Sequence, residues 1–134
     1  MAVAAALLAL AACTPPAQTA ALACTAPLKP ALEVDLYFGR ETDTGREVSE
    51  AEWASFLNDE VTPRFPDGLT LVEANGQYRG SSGVIQHERT KLLILFYPWS
   101  GASNRKADAI REAYMTAYHQ ESVLRVDSTS CISF

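Results

Sequence analysis

Apolar and polar residues alternate from Glu33 to Gly39, so that Val34, Leu36 and Phe38 share one face of the segment. This period of two predicts a half-buried β-strand. A polar loop follows, and the next ordered element has helical spacing instead.

The first predicted helix begins at Ser49, where the sequence Ser49-Glu50-Ala51-Glu52 forms a capping box. Trp53 and Phe56 are spaced for a core-facing stripe. Pro63 ends this helix, because proline disfavours helical backbone at the preceding residue.

The middle of the chain predicts a β-hairpin. Residues 69–79 and 84–97 are the two strands, and 80–83 form the turn. The dipeptide Asn75-Gly76 could be a bulge or an earlier turn. Residues 92–97 are apolar on both faces, which indicates a central strand.

The second predicted helix begins after Ser100 or Ser103 and runs to about His119. A last strand over residues 122–127 is expected to bury Leu124 and Val126.

The order β, α, β, β, α, β predicts an α+β fold of the ferredoxin-like kind: a four-stranded antiparallel sheet with two helices on one face. Its first and third strands are central. We expect the helix-free face to present Tyr37, Leu93, Leu95, Tyr97 and Val123, with Arg89 and Lys91 nearer one end. Because large apolar surfaces rarely face water, a second copy or the chain's own tails should cover it.

The first twelve residues are apolar and uncharged, which fits the core of a secretory signal and is too short to span a bilayer. The alternative is a short helix of a cytosolic protein. Leu10-Ala11-Ala12-Cys13 resembles the lipobox of bacterial lipoproteins. The resemblance implies cleavage before Cys13 and a lipid on that cysteine that anchors the protein to a membrane. The residue after it, Thr14, favours the outer membrane over the inner.

No basic residue precedes Lys29, so the start codon is expected to lie upstream of Met1. Residues 13–31 are expected to form an Ala/Thr/Pro-rich tether, and residues 32–134 the folded domain.

With Cys13 acylated, Cys24 and Cys131 remain, and a secreted setting favours a disulfide between them over two separate thiols. His87 and His119 show no metal-ligand spacing with these cysteines, so neither a metal nor a cofactor is expected. The net charge of −5 argues against a nucleic-acid partner.

Several separated motifs resemble the DUF3574 family, a bacterial domain of unknown function that is often found on lipoproteins. They are Leu36 to Arg40, Val48 to Trp53, Val61 to Thr70, Gln77 to Arg79, Glu88 to Leu92 and Gln120 to Leu124. The resemblance covers about residues 33–133. It implies a family and no mechanism.

The candidate ligand-binding residues lie around the hairpin and the sheet face: Tyr37, Tyr78, Arg79, His87, Glu88, Lys91 and Tyr97. They would form a polar rim at one end of an apolar cleft. The alternative is an ordinary solvated sheet edge, in which Glu88 pairs with Arg79 or Lys91.

Other polar residues suit structural roles better. His119 falls where a helix dipole favours a cation, and Arg40 and Arg64 suit loop-fixing hydrogen bonds. The sequence assembles no catalytic triad and no phosphate-binding glycine loop.

These features favour a non-catalytic, lipid-anchored protein on the periplasmic face of the cell envelope, binding a small molecule or a protein partner on its open sheet face. The alternative is a small enzyme of the dimeric α/β-barrel type, monooxygenase- or isomerase-like, with a pocket on that face. This alternative depends on fold analogy.

Overall fold

The computed structural model describes residues 23–134. The elements are β1 (Lys29–Gly39), α1 (Glu50–Phe56), a π-helical turn (Leu57–Val61), β2 (Thr70–Arg79), β3 (Ile85–Tyr97), α2 (Gly101–Tyr118) and β4 (Leu124–Ile132). Their order confirms the sequence prediction.

The four strands form one antiparallel sheet in the order β2-β3-β1-β4. The first and third strands are therefore central, as predicted for a ferredoxin-like arrangement. Leu36 lies opposite Leu93, and Tyr37 lies opposite Leu92. Because directly opposed residues point to the same side of a sheet, this register assigns every side chain of β1 and β3 to one of two faces.

Both helices pack on one face of the sheet, where β1 contributes Leu32, Val34, Leu36 and Phe38 to the core. An aromatic cluster joins the layers: the ring of Phe38 lies 4.8 Å from that of Tyr114 in α2 and 5.2 Å from that of Trp53 in α1. Such edge-to-face and tilted pairs add to the gain from burial itself. The predicted core role of Trp53 and Phe56 is confirmed.

The helix-free face, which we call the open face, differs from the prediction. The side chains of Leu93, Leu95 and Tyr97 are buried beneath the helices, and Val123 is buried as well. Of the five residues expected on the open face, only Tyr37 belongs to it. The error has a physical reason: β3 is apolar on both faces, so its period cannot reveal which set of alternate residues meets the helices.

The open face carries a different apolar set, namely Val72, Leu92, Ile94, Phe96, Leu124 and Val126. Asp35 lies between Ile94 and Val126 on this face. Burial raises the pKa of its carboxyl, and the charge of the neighbouring Glu33 raises it further. Coverage of this face by a second copy stays a prediction.

Element boundaries, a turn and the burial of β4 depart from the sequence analysis in four places. β4 spans Leu124–Ile132 rather than residues 122–127. Asn75 and Gly76 pair in continuous register with Arg89 and Glu88, so they form neither a bulge nor a turn. Leu124 and Val126 are 58% and 44% exposed rather than buried, because they point to the open face. β1 begins at Lys29, inside the predicted tether.

The predicted start of α1 is confirmed. Ser49 Oγ accepts a hydrogen bond from the backbone N–H of Glu52 at 3.2 Å, and the Glu52 carboxylate accepts one from the Ser49 N–H at 2.8 Å. Of the two candidate caps for α2, Ser100 fills the role. The hairpin turn lies at Gly80 to Gly83, as expected.

A disulfide joins Cys24 to Cys131 across 107 residues of sequence. It ties the segment before β1 to the end of β4. The proposed signal peptide and Cys13 lie outside the described residues. Between residues 23 and 134, no helix has both the length and the apolar character needed to cross a bilayer.

Removing this disulfide should lower the free energy of unfolding by up to about 4 to 5 kcal/mol, because a cross-link over so long a loop restricts the unfolded chain. Urea unfolding of the oxidised and reduced protein measures the difference. The variant Cys24→Ser/Cys131→Ser should resemble the reduced protein and be insensitive to reductant. Equal numbers of free thiols before and after reduction would contradict the assignment.

Candidate functional site

A cavity of about 590 Å³ lies at the hairpin end of the open face, and we call it the hairpin cavity. Its walls come from all four strands, the hairpin turn and two loops. The lining includes Tyr37, Gly39, Glu41, Thr42, Asp43, Gly45, Ala74, Gly76, Tyr78, Gln86, Glu88, Thr90, His119, Gln120, Glu121 and Leu124.

Small side chains create the depth of this cavity. Gly39, Ala74, Gly76 and Thr90 stand side by side across the open face of three neighbouring strands. A Cβ added at Gly76 would lie 3.1 Å from Thr90 Oγ1. The floor is therefore low where these residues meet, while larger residues stand around it.

Two loops form the far wall. The β1–α1 loop contributes Glu41, Thr42, Asp43 and Gly45, and the loop after α2 contributes His119 to Ser122. Gln120 Nε2 donates a hydrogen bond to the Glu41 carbonyl oxygen at 2.7 Å and links the two loops. His119 ends α2 in the left-handed region, with φ of 53°, which turns the chain toward the cavity.

Glu88 is the most unusual side chain in the hairpin cavity. Its carboxyl group lies over Gly39, so closely that an added Cβ there would come within 2.5 Å of both carboxyl oxygens. Within residues 23–134, it accepts one hydrogen bond, a long one from the Glu41 N–H at 3.4 Å. Burial and the charge of Glu41 raise the pKa of this carboxyl, against the smaller opposing effect of that hydrogen bond. The Glu88 carboxyl is therefore partly removed from water and receives little stabilisation from hydrogen bonds in return.

Tyr78 forms the wall beside Glu88. Its hydroxyl donates to Gln86 Oε1 at 2.7 Å, which holds the side chain against the hairpin. Burial raises the pKa of Tyr78, and the charges of Glu88, Glu121 and Glu41 raise it further. The carboxylates of the cavity therefore act on the same small volume.

The structure brings together three of the seven candidate residues: Tyr37, Tyr78 and Glu88. Lys91 points to the helix side, where its Nζ contacts Glu50 Oε2 at 2.7 Å and the Glu73 carboxylate. Lys91 is only 3% exposed, so it forms buried structural ion pairs and does not serve as a ligand-binding side chain.

Arg79 and His87 also lie on the helix-side register of the hairpin, because they alternate with Tyr78 and Glu88. Tyr97 is buried at the other end of β3, stacked on Phe65 at 5.1 Å. Sequence alternation alone could have separated Glu88 from His87 and Lys91, and Tyr78 from Arg79. The presence of polar residues around a hairpin does not by itself assign them to one face of the sheet.

Arg40 and Arg64 have the loop-fixing roles expected of them. Arg40 is 2% exposed and donates from Nε to the Val48 carbonyl oxygen at 2.9 Å. Arg64 donates to the Glu60 carbonyl oxygen at 2.6 Å and pairs with its carboxylate.

A second groove, of about 1330 Å³, lies toward the opposite end of the sheet and includes Phe65, Phe96, Tyr97 and the C-terminal residues 132–134. It is larger than the hairpin cavity but holds only one of the seven candidate residues. The hairpin cavity holds three of them, including Glu88 with its raised pKa, which marks it as the better candidate.

The family model described as "Protein of unknown function (DUF3574)" matches residues 33–134. The chain belongs to the DUF3574 family. The matched range contains all the strands except the start of β1, both helices and every residue that lines the hairpin cavity. No curated protein matches this DUF3574 chain in sequence.

Solved structures share the fold of this DUF3574 domain at low sequence identity. A phage SAM lyase in complex with S-methyl-5'-thioadenosine has a TM-score of 0.61 at 14% identity, covering 78% of this chain and 90% of that one. The apo state of phage SAM lyase has a TM-score of 0.57 at 13% identity, covering 78% and 92%. At these identities the likeness shows a common fold.

Replacing Glu88 by glutamine should stabilise the protein near pH 7. A carboxyl whose pKa is raised by folding favours the folded state below its unfolded pKa and loses that contribution as the pH rises through its folded pKa. The neutral amide avoids the loss, so its advantage should be largest near pH 7 and should fade toward pH 4. Urea unfolding at both pH values measures it.

The matched control is Glu112→Gln, which changes an exposed carboxylate of α2 outside the cavity. It should leave the free energy of unfolding nearly unchanged. A Glu88→Gln variant that is less stable than the parent at pH 7 would contradict the interpretation of Glu88 as a desolvated carboxyl.

Proposed function

We propose that this DUF3574 protein is a small-molecule-binding domain of the bacterial envelope, held to the membrane by a lipid on Cys13. The observation that carries the binding function is the Glu88 carboxyl, seated over Gly39 in the hairpin cavity, where the hydrogen bond it accepts from the Glu41 N–H is a long one. A partly desolvated ionisable group in a concave site is typical of ligand-binding and catalytic positions.

The surroundings support the same function. The cavity volume suits a small organic molecule, and its lining mixes tyrosine rings with polar groups. The two loops of the far wall are linked by the Gln120 to Glu41 hydrogen bond, so the wall does not depend on a bound ligand for its form.

An enzyme is the second candidate, because a carboxyl with a raised pKa can serve as a general acid or base. The fold neighbour solved with S-methyl-5'-thioadenosine makes that compound, and S-adenosylmethionine, sensible probes. Conversion of a probe that is lost in Glu88→Gln would favour catalysis, whereas binding without conversion would favour the leading proposal.

A general fragment library, with these two probes added, tests binding in the hairpin cavity. We expect some members to shift the backbone amide signals of residues 39, 74–78 and 86–90 saturably in NMR spectra of the full chain. Ala74→Phe fills the cavity and should abolish these shifts. Val72→Phe, on the same strand and face but outside the cavity, should preserve them. Fragments that never favour these amides over the rest of the surface would disprove the proposal.

The membrane attachment has its own test. Cys13→Ser should move the protein from the membrane fraction to the soluble periplasmic fraction and abolish labelling by a radioactive fatty acid. Cys24→Ser is the matched control, because it removes a cysteine that takes part in the disulfide and should leave the labelling intact. Unchanged membrane attachment of Cys13→Ser would exclude the anchor.

A further inference from the structure

The charges around the hairpin cavity have one sign. Four acidic side chains contribute to its lining, namely Glu41, Asp43, Glu88 and Glu121, and neither lysine nor arginine does. Among residues 23–134, His119 is the one basic side chain in the lining.

The neighbouring basic residues act on the other side of the sheet. Lys91 is held by Glu50 and Glu73, and Arg89 lies 3.2 Å from the Glu47 carboxylate. Arg40 is buried against Val48 and Glu50. Because carboxylates already neutralise these cations on the helix side, they do little to offset the negative potential of the cavity.

Resting on the proposed binding function, we propose that the ligand of the hairpin cavity is an organic cation, with an ammonium-type group placed between Glu88 and Tyr78. An anion would meet four carboxylates without a lysine or arginine partner in the lining. A cation would supply a close partner for Glu88, since among residues 23–134 the one donor to its carboxyl is the distant Glu41 N–H.

A metal ion fits this arrangement less well. Within residues 23–134, no three His, Cys, Asp or Glu side chains converge closely enough to hold a metal. The carboxylates instead stand apart around a cavity of about 590 Å³, which matches a charge spread over a larger organic group.

The aromatic walls strengthen the preference. Tyr78 is fixed by its hydrogen bond to Gln86, and Tyr37 lies across the cavity floor on β1. Tyrosine rings attract ammonium groups through their π electrons, most strongly when the site excludes water. Tyrosines and a carboxylate together form a common environment for such groups.

Three probes of nearly the same shape and different charge test this inference: choline, the neutral 3,3-dimethylbutan-1-ol, and the anion 3,3-dimethylbutanoate. Each is titrated into the full chain at low ionic strength and followed by the NMR shifts of the cavity amides. We expect choline to bind at least about tenfold more tightly than the neutral alcohol, and the anion to be excluded.

Variants distinguish the attraction of choline to the Glu88 carboxylate from its attraction to the Tyr78 ring. Glu88→Gln should reduce the choline preference several-fold, whereas Glu112→Gln should not. Tyr78→Phe keeps the ring and should retain most of the preference, while Tyr78→Leu should lose it. Added salt should weaken choline binding and leave the alcohol unaffected.

The outcomes distinguish this inference from the proposed function. Equal affinities for choline and the neutral alcohol, or tighter binding of the anion, would overturn charge selection and leave the cavity a binding site. Absence of cavity shifts with all three probes, and with the fragment library, would overturn both. Choline shifts that persist in Ala74→Phe would place its binding elsewhere and defeat the inference.

Discussion

The antiparallel pairing of β1 with β3 is the constraint on which the rest of the structure depends. Opposing Leu36 to Leu93 and Tyr37 to Leu92 places one set of side chains under the helices and the other on the open face. A shift by one residue would exchange the two sets and put the core residues in water. The aromatic packing of Phe38 against Tyr114 and Trp53 favours this register over its neighbours.

Much of the fold followed from local signals in the sequence. Three local patterns each predicted their element correctly: the capping box at Ser49, the glycine-containing turn at 80–83 and the β3 segment that is apolar on both faces. The assignment of Leu93, Leu95 and Tyr97 to the open face was wrong because Leu92, Ile94 and Phe96 are equally apolar. Only contacts with β1 and the helices, which are distant in sequence, distinguish the two sets.

The candidate site shows the same limit at finer scale. Tyr78 and Glu88 were singled out by their place beside the hairpin, but Lys91 was included with them although it lies three residues beyond Glu88. An odd spacing within a strand puts Lys91 on the helix side, where Glu50 and Glu73 satisfy its charge. The alternation of Ala74, Gly76 and Tyr78 was the available signal for the floor of the cavity. The contribution of the distant loops at Glu41 and Glu121 was not available from local patterns.

Gly39 connects the core to the hairpin cavity. Its carbonyl oxygen accepts a hydrogen bond from the Tyr114 hydroxyl at 2.9 Å, and Tyr114 belongs to the aromatic core. On the opposite side, its missing side chain leaves the space that the Glu88 carboxyl occupies. Any larger residue would push that carboxyl away from its partly desolvated position. The packing that stabilises the helix side thus also fixes the backbone on which Glu88 rests, so the chemistry of the cavity is coupled to the core through one residue.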